Sequence, residues 1–118
     1  MRIIGIGTDI VDISRISRAL TREKFLSVCF TQAEIEHCQK KGAASFAGLF
    51  AAKESVAKAL GTGFVGFFPR DIEICHDVDG KPMVKLSDKI CCGTKSTILV
   101  SISHEKAYAT AFAVVSGE

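Results

Sequence analysis

The chain is 118 residues long, 47% hydrophobic and 24% charged, with a formal net charge of +2. That length suits a single domain over residues 1–118 burying roughly two-thirds of its unfolded surface, and the composition excludes a disordered chain. The charge is too small to point to nucleic acid, and no apolar run approaches the ~20 residues that span a bilayer, so no membrane role is expected.

Five cysteines, Cys29, Cys38, Cys75, Cys91 and Cys92, are odd in number and include no Cys-x-x-Cys pair. A disulfide framework or zinc ribbon needs paired spacings, which His37-Cys38 and Cys75-His76 do not supply. Reduced, mostly buried thiols in a cytoplasmic protein are the expectation. Asp9 and Asp12 interrupt the N-terminal apolar stretch before any small-residue cleavage site, which argues against a signal peptide.

In chain order, the first predicted element is a strand over residues 3–11, with Ile4 and Ile6 on one face and Gly5, Gly7 and Asp9 on the other. Asp12 is placed to cap a helix over 13–26. On it Ile13, Ile16 and Leu20 form an apolar stripe, and Arg15, Arg18 and Arg22 repeat on another face. Thr31 and Glu34 form a capping box for a short helix ending near Lys41-Gly42. An alanine-rich helix without proline is predicted over 43–60, closed by Gly61-Thr62-Gly63. Strands over 71–76 and 81–86 join through Asp79-Gly80, and strands over 98–103 and 108–115 turn at His104-Glu105-Lys106. The sum is an α+β fold, a mostly antiparallel sheet packed on one long helix.

Chemistry concentrates in three places. On the long helix, Glu54 lies beside an apolar surface one turn before Lys58, and a carboxylate there must find a partner. Lys58 is the simple partner, since Glu before Lys at i, i+4 is the favourable order, worth about 0.3–0.5 kcal/mol when exposed. Gly5-Ile6-Gly7-Thr8-Asp9 falls short of a dinucleotide loop because Ile10 occupies the third glycine's place. It leaves an aspartate beside glycines that let another group approach closely. Ser101-Ile102-Ser103-His104 puts a histidine at a hairpin tip, but Ser103 and His104 point to opposite faces of a strand and no nucleophile elbow is present. Two carboxylates and cationic groups are the ingredients of a Mg²⁺–diphosphate site, if the fold assembles them.

Taken together, these segments resemble the holo-acyl-carrier-protein synthase family of 4′-phosphopantetheinyl transferases. The matching stretches are Gly5 to Ile10, Phe50-Ala-Ala-Lys53-Glu54-Ser55 through Lys58 to Gly63, Asp71-Ile-Glu73, Gly80-Lys81-Pro82, and Ser101 to His104 with Tyr108-Ala109. The resemblance covers nearly the whole chain in the family's order. It implies a homotrimer with active sites between subunits, an essential Mg²⁺, and a role in fatty acid biosynthesis. It further implies that a serine hydroxyl of apo acyl carrier protein attacks the β-phosphate of coenzyme A, releasing adenosine 3′,5′-bisphosphate.

By position, Asp9 and Glu54 match the metal ligands, Lys58 the lysine near the reacting phosphate, and His104 the histidine that contacts coenzyme phosphates. Gly61, Thr62 and Gly63 match a turn beside the coenzyme, and Arg15, with Arg18 and Arg22, the basic surface for the acidic carrier. Glu54, Lys58 or a metal-bound water could take the serine proton. One departure is Leu49, where many relatives have arginine; if that arginine binds a phosphate, another cation, with Lys53, Lys40 and Lys41 as candidates, must replace it or affinity falls. Two further classes are an inactive carrier- or coenzyme-binding module and a Mg²⁺-dependent nucleotide hydrolase. The first should have lost Asp9, Glu54 or Lys58, all of which are present, and the basic first helix favours a protein acceptor over water.

Overall fold

A computed structural model describes residues 2–90 and 96–117. Its longest helix, α4 (Ala43–Leu60), has the predicted bounds. Gly61 ends it in the left-handed conformation at φ 83°, donating its N–H to the Lys58 carbonyl at 3.0 Å. Against α4 lies a three-stranded antiparallel sheet of β1 (Arg2–Asp12), β4 (Thr97–His104) and β5 (Tyr108–Gly117), in the order β1-β5-β4. β5 turns Ala109, Ala111, Ala113 and Val115 inward, and these small side chains let the helix lie close. β1 goes further. A Cβ at Gly5 would collide with the Ala59 carbonyl and one at Gly7 with the Ser55 carbonyl, so strand and helix touch backbone to backbone.

The other strands, β2 (Ile72–His76) and β3 (Pro82–Leu86), form a separate antiparallel hairpin, so the expected sheet is divided in two. Its turn is longer than Asp79-Gly80 alone. The Asp77 carboxylate accepts the N–H groups of Asp79 and Lys81, both at 2.9 Å, and Gly80 takes a φ of 86°. Asp71, expected to begin β2, instead closes a 3₁₀ turn over Pro69–Asp71, where its carboxylate accepts the Phe68 N–H at 2.9 Å.

The helix expected over 13–26 is two helices, α1 (Ile13–Ala19) and α2 (Glu23–Cys29). Asp12 caps the first as predicted, accepting the Ser14 and Arg15 N–H groups. The break comes where the Thr21 hydroxyl donates to the Arg18 carbonyl at 2.7 Å, competing with the helical ladder, and Arg22 goes extended to begin α2. Thr31 and Glu34 form the predicted capping box on α3 (Gln32–Gln39), which ends slightly short of Lys41. Among the described residues, no helix is long and apolar enough to cross a membrane.

Lys53 is fully buried in α4. Its ammonium donates to Glu34 Oε1 at 2.8 Å and to the carbonyls of Pro69 at 3.2 Å and Ile72 at 2.6 Å. Glu34 Oε2 in turn accepts the Ile74 N–H at 2.8 Å. Burial pulls the Lys53 ammonium below its ordinary pKa, and the Glu34 carboxylate opposes that. Removing one partner of such a pair strands the other charge. Lys53→Met is expected to cost about 3–5 kcal/mol. A thermal midpoint lowered by on the order of 10 °C checks this, and a midpoint within about 2 °C of the parent would refute it.

Candidate functional site

Asp9, Glu54 and Lys58 come together where β1 crosses α4. Asp9 shares the face of β1 occupied by Gly5 and Gly7, so the close backbone contact delivers its carboxylate to the helix. Lys58 Nζ lies 3.2 Å from Asp9 Oδ1 and donates to the Thr8 carbonyl at 2.9 Å. The simple Glu54–Lys58 ion pair is therefore not the pairing adopted: the ion pairs among the described residues are Lys58–Asp9 and Lys53–Glu34. The Lys58 side chain remains 52% exposed, free to exchange partners, whereas that of Asp9 is 17% exposed.

Glu54 is half-buried. Burial raises its carboxyl pKa, the Asp9 charge adds to the rise, and Lys58 and Arg15 oppose it. A buried carboxyl whose proton affinity a neighbouring carboxylate raises marks a site short of positive charge. Among the described residues no third His, Cys, Asp or Glu joins them in a metal-holding group. Two carboxylates without a closed protein cage suit Mg²⁺, which keeps waters and takes substrate phosphates as remaining ligands.

Arg15 links this cluster to a groove of about 300 Å³ lined by Arg15, Arg18, Arg22, Phe25 and Phe50. All three predicted arginines reach it despite the helix break, because Arg22 sits at the start of α2 facing the same space. His104 is not brought to the carboxylates. It ends β4 opposite Ala109, whose other neighbour is Val11, so it stands two strands from β1. Thr62 lines a separate cleft of about 320 Å³ with Ile4, Phe67 and Lys89, and Gly61 and Gly63 provide the positive-φ turn beside it.

Of the cations suggested to stand in at the Leu49 position, Lys53 is excluded by its burial and its bond to Glu34. Lys41 lines one groove with Leu49 and His104. Cys29 and Cys38 are free and buried while Cys75 is exposed; Cys91 and Cys92 lie outside the described residues. Burial pushes the Cys29 thiol up to about 11, which makes it a poor nucleophile. Sequence reasoning missed Ser55, whose hydroxyl reaches the Ala51 and Ala111 carbonyls at 2.8 and 3.0 Å and pins α4 to β5. It also missed Lys53–Glu34, although the Thr31-x-x-Glu34 box already marked Glu34 as a residue with a structural partner.

Residues 5–113 match the model of the 4′-phosphopantetheinyl transferase superfamily. The chain belongs to this superfamily. Within it, the chain is 50% identical over 119 residues to a holo-[acyl-carrier-protein] synthase of Clostridium beijerinckii, covering 96% of this chain and 97% of that one. It is 46% identical over 120 residues to the Fusobacterium nucleatum protein of the same name, covering 96% and 98%. Among solved structures, a Bacillus anthracis holo-(acyl-carrier-protein) synthase in complex with CoA (3′,5′-ADP) superposes with a TM-score of 0.86 at 36% identity, covering both chains fully. The Helicobacter pylori synthase in complex with coenzyme A gives 0.85 at 36% identity, covering 94% of this chain and 99% of that one.

The electrostatics of this cluster can be tested directly. In metal-free protein the Glu54 carboxyl should titrate above its ordinary 4.5, and Asp9→Asn should lower its midpoint without restoring the ordinary value, since burial is the larger cause. Carbon-13 NMR of the side-chain carboxyl reads this, and an unchanged midpoint in the variant would break the proposed coupling.

Proposed function

We propose that this chain transfers the 4′-phosphopantetheine group of coenzyme A to a serine of apo acyl carrier protein, releasing adenosine 3′,5′-bisphosphate. The cluster of Asp9, Glu54 and Lys58 where β1 meets α4 carries this assignment. Phosphoryl transfer needs in-line positioning and charge neutralisation more than covalent help. Mg²⁺ held by Asp9 and Glu54 would supply the main neutralising charge for the diphosphate when bound. Lys58 holds Asp9 in the unliganded protein. Its exposed ammonium can turn to the phosphate as the donor enters, and it then stabilises charge on the transferred oxygens.

The arginine groove gives the acceptor its approach. Arg15 lies close enough to lower the Glu54 carboxyl pKa, so a carrier docked on Arg15, Arg18 and Arg22 would have its serine beside the reacting phosphate. Such a basic surface speeds encounter with an acidic partner and weakens with salt. Free buried thiols at Cys29 and Cys38 fit a reducing compartment, and with it a cytoplasmic enzyme in fatty acid biosynthesis.

In a mixture of protein, apo carrier, coenzyme A and Mg²⁺, the carrier should gain the mass of one phosphopantetheine. Glu54→Gln should lower turnover at least about a hundredfold while leaving the melting curve intact, and Arg15→Glu should raise the KM for carrier most at low salt. No mass gain with several folded apo carriers would sink the assignment.

We also propose the homotrimer that the family resemblance implies, and an apolar face that a single chain leaves exposed supports assembly. The sheet face away from α4 carries Ile6, 62% exposed, and Ile10, 63% exposed, with Leu99 and Phe112 beside them. A second copy covering this face would bury it and could bring its own His104 towards Asp9. Sedimentation equilibrium should give three times the chain mass, and Ile6→Asp should shift the protein towards monomer. A parent protein monomeric at micromolar concentration would contradict this.

A further inference from the structure

The side chains on either side of Glu54 in the sequence are both polar, both fully buried and both hydrogen-bonded. Lys53 binds Glu34 Oε1 and the Pro69 and Ile72 carbonyls, so it ties α4 to α3, the 3₁₀ turn and β2. Ser55 donates to the Ala111 carbonyl at 3.0 Å and ties the same turn of helix to β5. Successive side chains on a helix point about 100° apart, which puts these two anchors on opposite sides of Glu54. Glu54 itself is half-buried, and Asp9, Lys58 and Arg15 are the charged groups that act on it.

The core around the two anchors is otherwise smooth. α4 buries Ala51, Ala52 and Ala57, and β5 turns Ala109, Ala111 and Ala113 inward. Apolar contact is non-directional, and side chains this small offer little to stop a helix turning about its axis. Hydrogen bonds have direction. Turning α4 either way draws the Lys53 ammonium and the Ser55 hydroxyl off acceptors that lie on different elements. A side-chain tip rides about 5 Å from the helix axis, so a turn of about 20° moves it by roughly 2 Å. A misplacement of about 1 Å can cost on the order of a hundredfold in rate.

We propose that Lys53, through Glu34, and Ser55 are positioning residues that fix the aim of the Glu54 carboxylate where β1 crosses α4. The buried charge then supplies direction as well as cohesion. The functional half of this inference rests on Glu54 serving the transfer reaction.

Removing both charges together separates direction from cohesion. Lys53→Met combined with Glu34→Leu strands no charge, so it should melt above Lys53→Met alone. Its function should not recover with its stability. In the metal-free double variant the Glu54 carboxyl carbon, one narrow carbon-13 line in the parent, should shift or split. Mn²⁺, read by electron paramagnetic resonance with coenzyme A present, should bind about tenfold more weakly, and turnover should fall about 10–100-fold. The KM for carrier should stay within about twofold, because Arg15, Arg18 and Arg22 lie outside α4.

Ser55→Ala carries the test if the double variant does not fold. It leaves the Ala111 carbonyl the Thr8 hydroxyl as a partner at 3.1 Å and puts a better helix former in α4, so the fold should hold. It should move the Glu54 line and weaken Mn²⁺ binding about threefold, the loss of one hydrogen bond. A parent-like Glu54 line and Mn²⁺ affinity in either folded variant would overturn the role of the anchor it removes. The reaction is tested apart from this. A parent that transfers nothing, with a Glu54 line that still moves in both variants, loses the coenzyme A assignment and keeps the anchors. A parent that transfers, with variants that match it, loses the anchors and keeps the assignment.

Discussion

A lysine with no exposure to water holds this protein together. The three N–H bonds of the Lys53 ammonium meet three acceptors, Glu34 Oε1 and the carbonyls of Pro69 and Ile72. Glu34 spends its remaining capacity on the Thr31 and Ile74 N–H groups. One contact thereby joins α4, α3, the 3₁₀ turn and β2. A buried charge is tolerable only when paired and fully hydrogen-bonded, and this geometry meets that condition. It also sets the rotation of α4 about its axis. Glu54 follows Lys53 by about 100° around the helix, so burying the first side chain on one side presents the second at the edge of the core.

β1 performs the complementary task. One of its faces is stripped to glycine so that α4 can touch it, and Asp9 continues that face to Lys58. The other face carries Ile6 and Ile10, exposed in a single chain. A strand with the Lys58-paired carboxylate on one side and an apolar surface on the other ties the two faces together. Whatever covers the isoleucines also bears on the position of Asp9.

Much of this organisation is legible in the residues. Alanine content, absence of proline and a closing Gly61 mark α4 to its ends, and Asp12 and Thr31 mark helix starts through capping that acts over three residues. The signals that fail are those where a tertiary partner decides. Apolar periodicity runs through residues 13–26, yet a hydroxyl at Thr21 satisfies the Arg18 carbonyl and the helix stops. Spacing pairs Glu54 with Lys58, yet Asp9, distant in sequence, takes the lysine because the glycine contact brings it there. Lys53 resembles a surface cation in sequence because its acceptors lie on α3 and near β2. Histidines 37 and 76 carry no mutual signal at all before the fold stacks them. The resemblance to the transferases supplies residue roles that pattern alone leaves open.

The contact of Gly5 and Gly7 with α4 has a consequence for how this site can change over time. The atoms in contact are the carbonyls of Ala59 and Ser55, which every residue possesses, rather than side chains that vary. The offset between Asp9 and the Glu54–Lys58 turn is therefore set by main chain alone. Substitutions can reshape the arginine groove or the His104 groove one position at a time. None of them can slide the helix along the strand without first filling a space that admits no carbon atom.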